Sequence, residues 1–281
     1  MERLDERQMP RVSVTIPVYN AERFISETIE SVISQTYTDW EIVAVDDGSK
    51  DGSLEILRAF EKRLPEKIRV FSKKNSGVAL ARNTGIEGSK GEYIALLDHD
   101  DLWMPGKLER QVKLLDSNKE IGLVYSDAYL FRERESRTRT AFSTLKPFRG
   151  RVFDKLLWEN FIVVSTAVIR REAFNKVGMF DPKYRICEDY DLFLRVAGQY
   201  PLDFIDEPLV TYRIHGGSVT MTAGAPSNDE SLQIMDYWLS QPLDKTLVET
   251  IKRRKRDLHY NRMKYCLANR KYGEFLKEFF R

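Results

Sequence analysis

Three carboxylates and an imidazole stand together at Asp98-His99-Asp100-Asp101, directly after the apolar run Tyr93-Ile94-Ala95-Leu96-Leu97. Carboxylates this close repel one another, and a hard divalent cation with oxygen ligands, shared with a substrate phosphate, would offset the repulsion. Mg²⁺ or Mn²⁺ suits such a set; His99 could join it, but one ring beside three acids is not a zinc site. By themselves the same residues also read as a solvated turn in which Asp100 or Asp101 caps a helix near Pro105. A second acidic turn, Asp46-Asp47-Gly48-Ser49, follows another apolar strand. Two acidic strand ends in one sheet point to one polar crevice, because α/β ligands bind at the carboxyl ends of parallel strands.

The first 125 residues alternate strand and helix patterns, as a parallel sheet with crossover helices requires. Val12, Val14 and Ile16 alternate with Ser13 and Thr15 in a strand that Pro17 is expected to end. A helix over 22–35 carries Ile25, Ile29, Val32 and Ile33 on one stripe. Strands are predicted at 41–45, 68–71, 93–97 and 121–125, and helices at 53–64, from Gly77 to Ile86, and from Pro105 through Leu115. Residues 131–149 are polar and without sustained periodicity, so they read as a loop. Beyond them come a helix at 152–159, a β-rich stretch at 161–169, helices at 172–177 and 188–197, and a strand at 210–214. The chain is then expected to divide into a 10–220 domain, with a nucleotide-binding half at 10–127 and an acceptor half at 150–220, and a basic helical extension at 229–281.

With 281 residues, 42% of them hydrophobic, the chain can bury a sizeable core. Two cysteines, Cys187 and Cys266, are too few for a disulfide framework and fit a reducing compartment. The charged N-terminus lacks a signal-peptide core and no run has the length of a membrane span, which predicts a soluble, cytoplasmic protein. The net charge of +2 hides an asymmetry: residues 245–281 hold 12 Lys/Arg against 4 Asp/Glu, so the rest of the chain is acidic. A basic face on the helices of that tail would allow peripheral docking on the anionic inner membrane surface; the same residues also read as a solvated face, or as packing on the domain or on a second subunit.

The motifs occur in an order that resembles glycosyltransferase family 2. They are Pro17-Val18-Tyr19-Asn20, Val45-Asp46-Asp47-Gly48-Ser49, Asn75-Ser76-Gly77 leading to Ala81-Arg82-Asn83, Gly91-Glu92-Tyr93-Ile94 with Asp98-His99-Asp100-Asp101, and Glu188-Asp189. The resemblance implies an α/β fold of the GT-A type, Rossmann-like, with a mixed, mostly parallel sheet flanked by helices. It implies a sugar donor activated by a nucleoside diphosphate, usually UDP. Pro17 and Tyr19 would line the base, Asp47 would meet base or ribose, Gly77 would belong to the same pocket, and Asp98 would contact ribose. Asp100 would ligate the metal, with His215 a further candidate ligand. Asp189 would be the base, its carboxyl raised by crowding from Glu188 and Asp191. Asp46, Asp101, Glu188 and Arg213 would stand behind these groups, with Arg213 also able to neutralise phosphate. For the family's basic contact before the third helix, Lys73, Lys74 and Arg82 are candidates, and Gly216 to Asn228 would form a lid. An inverting displacement follows, onto a saccharide or lipid-linked acceptor of surface polysaccharide or lipopolysaccharide synthesis, with no nucleic acid involved.

Other classes are less well matched. A nucleotidyltransferase would carry a Gly-rich phosphate loop after the first strand, a dinucleotide oxidoreductase a G-x-G-x-x-G turn, and a kinase of the P-loop type its own loop; none is present. A non-catalytic nucleotide-sugar-binding protein remains as the other reading, against which Asp100 and Asp189 weigh.

Overall fold

Every residue of Val12–Val18 (β1) and of Trp40–Asp46 (β2) is buried, polar and apolar alike, as expected of central strands covered by helices on both faces. In this computed structural model the described residues are 9–132, 139–216 and 224–271. The chain continues through Ile25–Ile33 (α1), Ser53–Arg63 (α2), Ile68–Ser72 (β3), Val78–Gly88 (α3), Tyr93–Leu96 (β4), Leu102–Trp103 (β5) and Lys107–Ser117 (α4). It then forms Leu123–Arg132 (β6), Phe153–Trp158 (α5), Val168–Arg170 (β7), Arg171–Val177 (α6), Glu188–Gln199 (α7), Leu202–Ile214 (β8), Gly224–Leu239 (α8) and Lys245–Ala268 (α9).

Among the described residues the strands make one sheet in the order β3-β2-β1-β4-β7-β6-β8-β5. β1 pairs in parallel with β2 and β4, and β2 with β3. β7 runs antiparallel to β4 and β6, whereas β6 and β8 are parallel. The chain therefore leaves β1 toward β2 and β3, then returns to place β4 on the other side of β1. That reversal opens a crevice at the carboxyl ends of β1 and β4, where a ligand can enter between diverging loops.

Pro17 does not end its strand. Leu97 N–H bonds the Thr15 carbonyl on the β4 side, while Asp47 N–H bonds the Val18 carbonyl on the β2 side. Pro17 shares the orientation of Thr15, and pairing with β4 stops at Thr15, so the missing N–H removes no ladder bond. The loop expected at 131–149 is shortened by β6, which runs to Arg132, and Ala141–Ser143 forms one helical turn. The β-rich reading of 161–169 also fails in part, since Val164–Thr166 is a helical turn and the strand starts only at Val168. β8 is 13 residues long, not the five expected, because β6 and β5 pair along its two edges.

Apolar residues on the two sides of the sheet form two cores. One gathers Ile25, Ile29 and Val32 of α1 with Leu108, Val112 and Leu115 of α4, all placed by their helical spacing. The other is built on α5, α6 and α7, and Leu232, Ile234 and Met235 of α8 join it together with Ile251 and Leu258 of α9. Ile251 and Leu258 of α9 thus pack on the domain core, while Tyr260 and Leu267 are exposed and Lys252, Arg253 and Arg256 face solvent. No described helix is long and apolar enough to cross a membrane. Of the segment read as a lid, 217–223 lies outside the described residues, as do 272–281 of the basic tail.

Candidate active site

The crevice at the switch between β1 and β4 is a cavity of about 850 Å³. Its first wall is the turn after β1, where Tyr19 is 41% exposed at the rim. Asn20 holds a positive φ of 50°, and the turn is tied to the one after β2: Asn20 N–H donates to Ser49 Oγ (3.0 Å) and Lys50 N–H to Asn20 Oδ1 (2.8 Å). Asp47 lines the same wall, yet its carboxylate already accepts from Ser76 N–H (3.0 Å), Ser76 Oγ–H (3.1 Å) and Gly77 N–H (2.8 Å). It therefore anchors the 75–77 loop as well as facing the cavity. Gly48 permits this approach: at φ +77° a side chain is strained, and a Cβ there would lie 2.8 Å from Asn75 N. Asp46 lies behind the wall, its oxygens taken by Ser72 Oγ–H (3.0 Å) and Ser49 N–H (3.2 Å).

The acidic turn after β4 divides by direction. Asp98, His99 and Asp100 line the cavity and Asp101 does not. His99 Nδ1 sits 3.1 Å from the Pro17 carbonyl, which joins the ends of β1 and β4. Asp100 Oδ2 meets His215 Nε2 at 2.8 Å, and the His215 ring packs on Phe24 with centroids 4.7 Å apart. Asp101 is fully buried; Ser165 Oγ–H and Arg213 N–H (2.9 Å) donate to it. Burial first, and then the charges of Asp100 and Asp98, hold its carboxyl well above the usual range. Since Ser165 Oγ also accepts from Asp98 N–H (3.1 Å), Asp101 fixes the turn from inside. It caps no helix: α4 begins after Gly106 without a side-chain cap.

Arg213 contributes only its backbone here. Its guanidinium pairs with Glu27 and lies 5.3 Å from the centroid of Phe24, in a neighbouring cavity of about 340 Å³ rather than in the main one. Among the three basic candidates before or on α3, Lys73 and Lys74 do not line the cavity, and Arg82 does. Arg82 is 4% exposed; it donates to Asp98 Oδ1 (2.6 Å) and to Glu188 Oε1, and lies over the Phe180 ring at 5.2 Å. One guanidinium thus spans Asp98, on the turn after β4, and Glu188, the first residue of α7.

Asp189 is half-buried on the facing wall, and its own Oδ1 accepts Tyr190 N–H at 2.6 Å. Its carboxyl is pushed up to about 7, by burial first and then by Glu188, against the opposing pull of Arg82. The direction matches the sequence expectation but the cause differs. Asp191 is turned away into a pair with Arg195 (2.7 Å), and desolvation does what crowding by Asp191 was expected to do. The wall beyond Asp189 is apolar, with Leu130, Leu145, Ile162 and Val163. Neither that wall nor Ser165 was legible in sequence, since the wall is gathered from β6 and two loops that only packing brings together.

Among the described residues no three His, Cys, Asp or Glu side chains form a ready cage for a metal ion. Asp100 and His215, with Asp98 beside them, are instead an incomplete set of the kind that takes up an ion together with substrate phosphate oxygens.

The fold is that of the GT-A class of glycosyltransferases. The chain belongs to glycosyl transferase family 2, whose profile matches residues 13–178, more than half of its length. An uncharacterized glycosyltransferase of Rickettsia typhi is 36% identical over 225 residues, covering 76% of this chain and 67% of the relative. A putative teichuronic acid biosynthesis glycosyltransferase, TuaG of Bacillus subtilis, is 32% identical over 214 residues, covering 75% and 82%. Among solved structures, the mannosyltransferase PcManGT of Pyrobaculum calidifontis in complex with GDP-Man and Mn²⁺ superposes with a TM-score of 0.70 at 19% identity, over 93% of this chain and 74% of that one. Residues 1–349 of TarS from S. aureus in complex with UDP-GlcNAc give 0.68 at 18% identity, over 96% and 72%.

Proposed function

We propose that this glycosyltransferase moves a sugar from a nucleoside diphosphate donor, a UDP-sugar, to an acceptor hydroxyl with inversion, and that Asp189 is the general base. One observation carries the reading: the Asp98/Asp100 turn and Asp189 line one cavity, Arg82 joins Asp98 to Glu188, the neighbour of Asp189, and the Asp189 carboxyl is raised to about 7. A carboxylate with that affinity for protons is matched to a base working near neutrality. In the displacement, Asp189 takes the acceptor hydroxyl proton as the new bond to the anomeric carbon forms. The bond to the diphosphate oxygen breaks, and its electron pair leaves with the diphosphate. Pro17, Tyr19, Asp47, Gly77 and Asp98 would hold the nucleoside and ribose. Asp100, with His215, would hold Mn²⁺ or Mg²⁺, which when bound neutralises leaving-group charge.

The UDP-GlcNAc of the TarS complex supports a UDP-sugar donor, and the Mn²⁺ of the mannosyltransferase complex supports the metal. The teichuronic acid assignment of TuaG favours a surface polysaccharide as destination. The apolar wall of Leu130, Leu145, Ile162 and Val163 suits a saccharide acceptor that carries a lipid. In the same reading, residues 10–127 hold the nucleotide and 150–220 the acceptor.

Calorimetric titration with UDP, in Mn²⁺ and in EDTA, tests the donor site. Binding that requires the metal supports the reading; folded protein that binds neither UDP, GDP nor dTDP rejects it.

A further inference from the structure

Asp189 stands at the start of α7, and that start lacks a local cap. Cys187, at the N-cap position, provides no side-chain hydrogen bond to the helix. The backbone N–H groups of the preceding turn would be left without partners if the chain supplied none from elsewhere. They are taken by one carboxylate from α8, more than forty residues later. Glu230 Oε1 accepts Arg185 N–H, and Glu230 Oε2 accepts Ile186 N–H and Cys187 N–H, each at 2.9 Å. Cys187 Sγ adds contacts to the same helix, 3.5 Å from the Ser227 carbonyl and 3.6 Å from Ser231 Oγ.

The helix that carries Glu230 is itself fixed. Leu232, Ile234 and Met235 are buried in the core, and α9 clamps α8 through Arg262 to Asp229 (2.7 Å) and Lys255 to Asp236. Three charge-assisted bonds from a rigid helix thus set the turn from which Glu188 and Asp189 project. We propose that Glu230 is the positioning residue for the base, so that the C-terminal helices are a working part of the active site. Glu230 does not line the cavity, whereas Arg185, Ile186, Glu188 and Asp189 do. Its effect falls on the geometry of proton transfer and spares the nucleotide wall built from β1, β2 and β4. This inference rests on the reading of Asp189 as base.

The test compares wild type, Glu230→Ala, Glu230→Gln and Asp189→Asn in the full chain. Hydrogen exchange of the 185–187 amides reports the latch directly, UDP titration with Mn²⁺ reports the donor wall, and turnover of UDP-GlcNAc, UDP-Glc, UDP-Gal and GDP-Man gives kcat and donor KM. Glu230→Ala should expose the three amides to fast exchange, bind UDP within about twofold of wild type, and lose kcat on the order of 100-fold at unchanged KM, as misplaced catalytic groups do. Glu230→Gln, which keeps a carbonyl oxygen, should recover part of both protection and kcat, and it carries the test if the alanine variant does not fold. Wild-type exchange at 185–187 in Glu230→Ala overturns the proposal, as does full kcat beside an inactive Asp189→Asn. Retained turnover in Asp189→Asn would instead remove the base assignment, and the exchange data would still decide what Glu230 holds.

Discussion

Arg82 on α3 donates to the carboxylate of Glu188, a residue 106 positions later in the chain, and both side chains are less than 10% exposed. The pair couples the acidic turn after β4 to the start of α7, because the other arm of the same guanidinium holds Asp98 at 2.6 Å. Glu188 Oε2 is buried and makes no hydrogen bond, so the negative charge of this group is met from one side only.

Removing Arg82 should therefore be severe. Arg82→Ala leaves two carboxylates facing each other in a poorly hydrated place, for a loss of about 3–5 kcal/mol in unfolding free energy. Lysine at this position reaches one acid at a time, so Arg82→Lys should recover less than half of that loss. Urea melts at pH 7 check both; a loss below about 1 kcal/mol for the alanine variant contradicts a bridging role.

The pH profile follows from Asp189. A base must be unprotonated, so kcat should rise with pH about tenfold per unit below a midpoint of about 7, and level off above it. Asp189→Asn should lose activity by roughly 10²–10⁴-fold. Steady-state rates between pH 5 and pH 9, with the metal held saturating, would show the limb; a flat profile in the wild type argues that another group takes the proton.

Metal-linked nucleotide binding should divide the acidic turn. Asp100→Ala should abolish the part of UDP affinity that depends on Mn²⁺, and His215→Ala should weaken it less. Asp101→Asn should leave it within about twofold, because Asp101 faces Ser165 and Arg213 N–H and not the cavity. Titration calorimetry of the three variants separates them, and a large loss in Asp101→Asn would place that residue among the ligands.

Asp101 also sets a stability trend. Its carboxyl is held well above 3.8 in the folded chain, so above about that pH the native state binds more protons at this site than the unfolded chain. The contribution is stabilising at low pH and is lost as pH rises through the raised value. An amide does not titrate: its oxygen can still accept Arg213 N–H, and its NH2 can donate to Ser165 Oγ, reversing that bond. Asp101→Asn should therefore gain in melting temperature relative to wild type as pH goes from 4 to 8; a constant difference across that range refutes the linkage.

Much of this was legible in the residues. Ile25, Ile29 and Val32, or Leu108, Val112 and Leu115, declare their helices because a 3.6-residue period leaves few other ways to bury them. The acidic turns after β2 and β4 were visible because carboxylates cluster where a ligand can offset them. Pro17 misled, since a missing N–H matters only if a neighbour needs it, and whether one does depends on where β4 stops pairing. Residues 131–149 misled for a related reason: the ladder between β6 and β8 is made with a strand some eighty residues away, and no local pattern announces it.

The sequence by itself determined the class of protein. Strand-and-helix periodicity, two acidic strand ends and the Glu188-Asp189 pair are local features, and the ordered motifs suffice to place the chain in family 2. Only the tertiary structure decided which charges meet. Arg82, and not Lys73 or Lys74, reaches the cavity and is buried between two acids, Asp101 was turned from the cavity by Ser165 and Arg213 N–H, and Glu230 came to the turn before Asp189 from a helix that looked like an appendage. Charge and hydrogen-bond energies depend on distance and on exclusion of water, and both are fixed only when segments remote in sequence pack together.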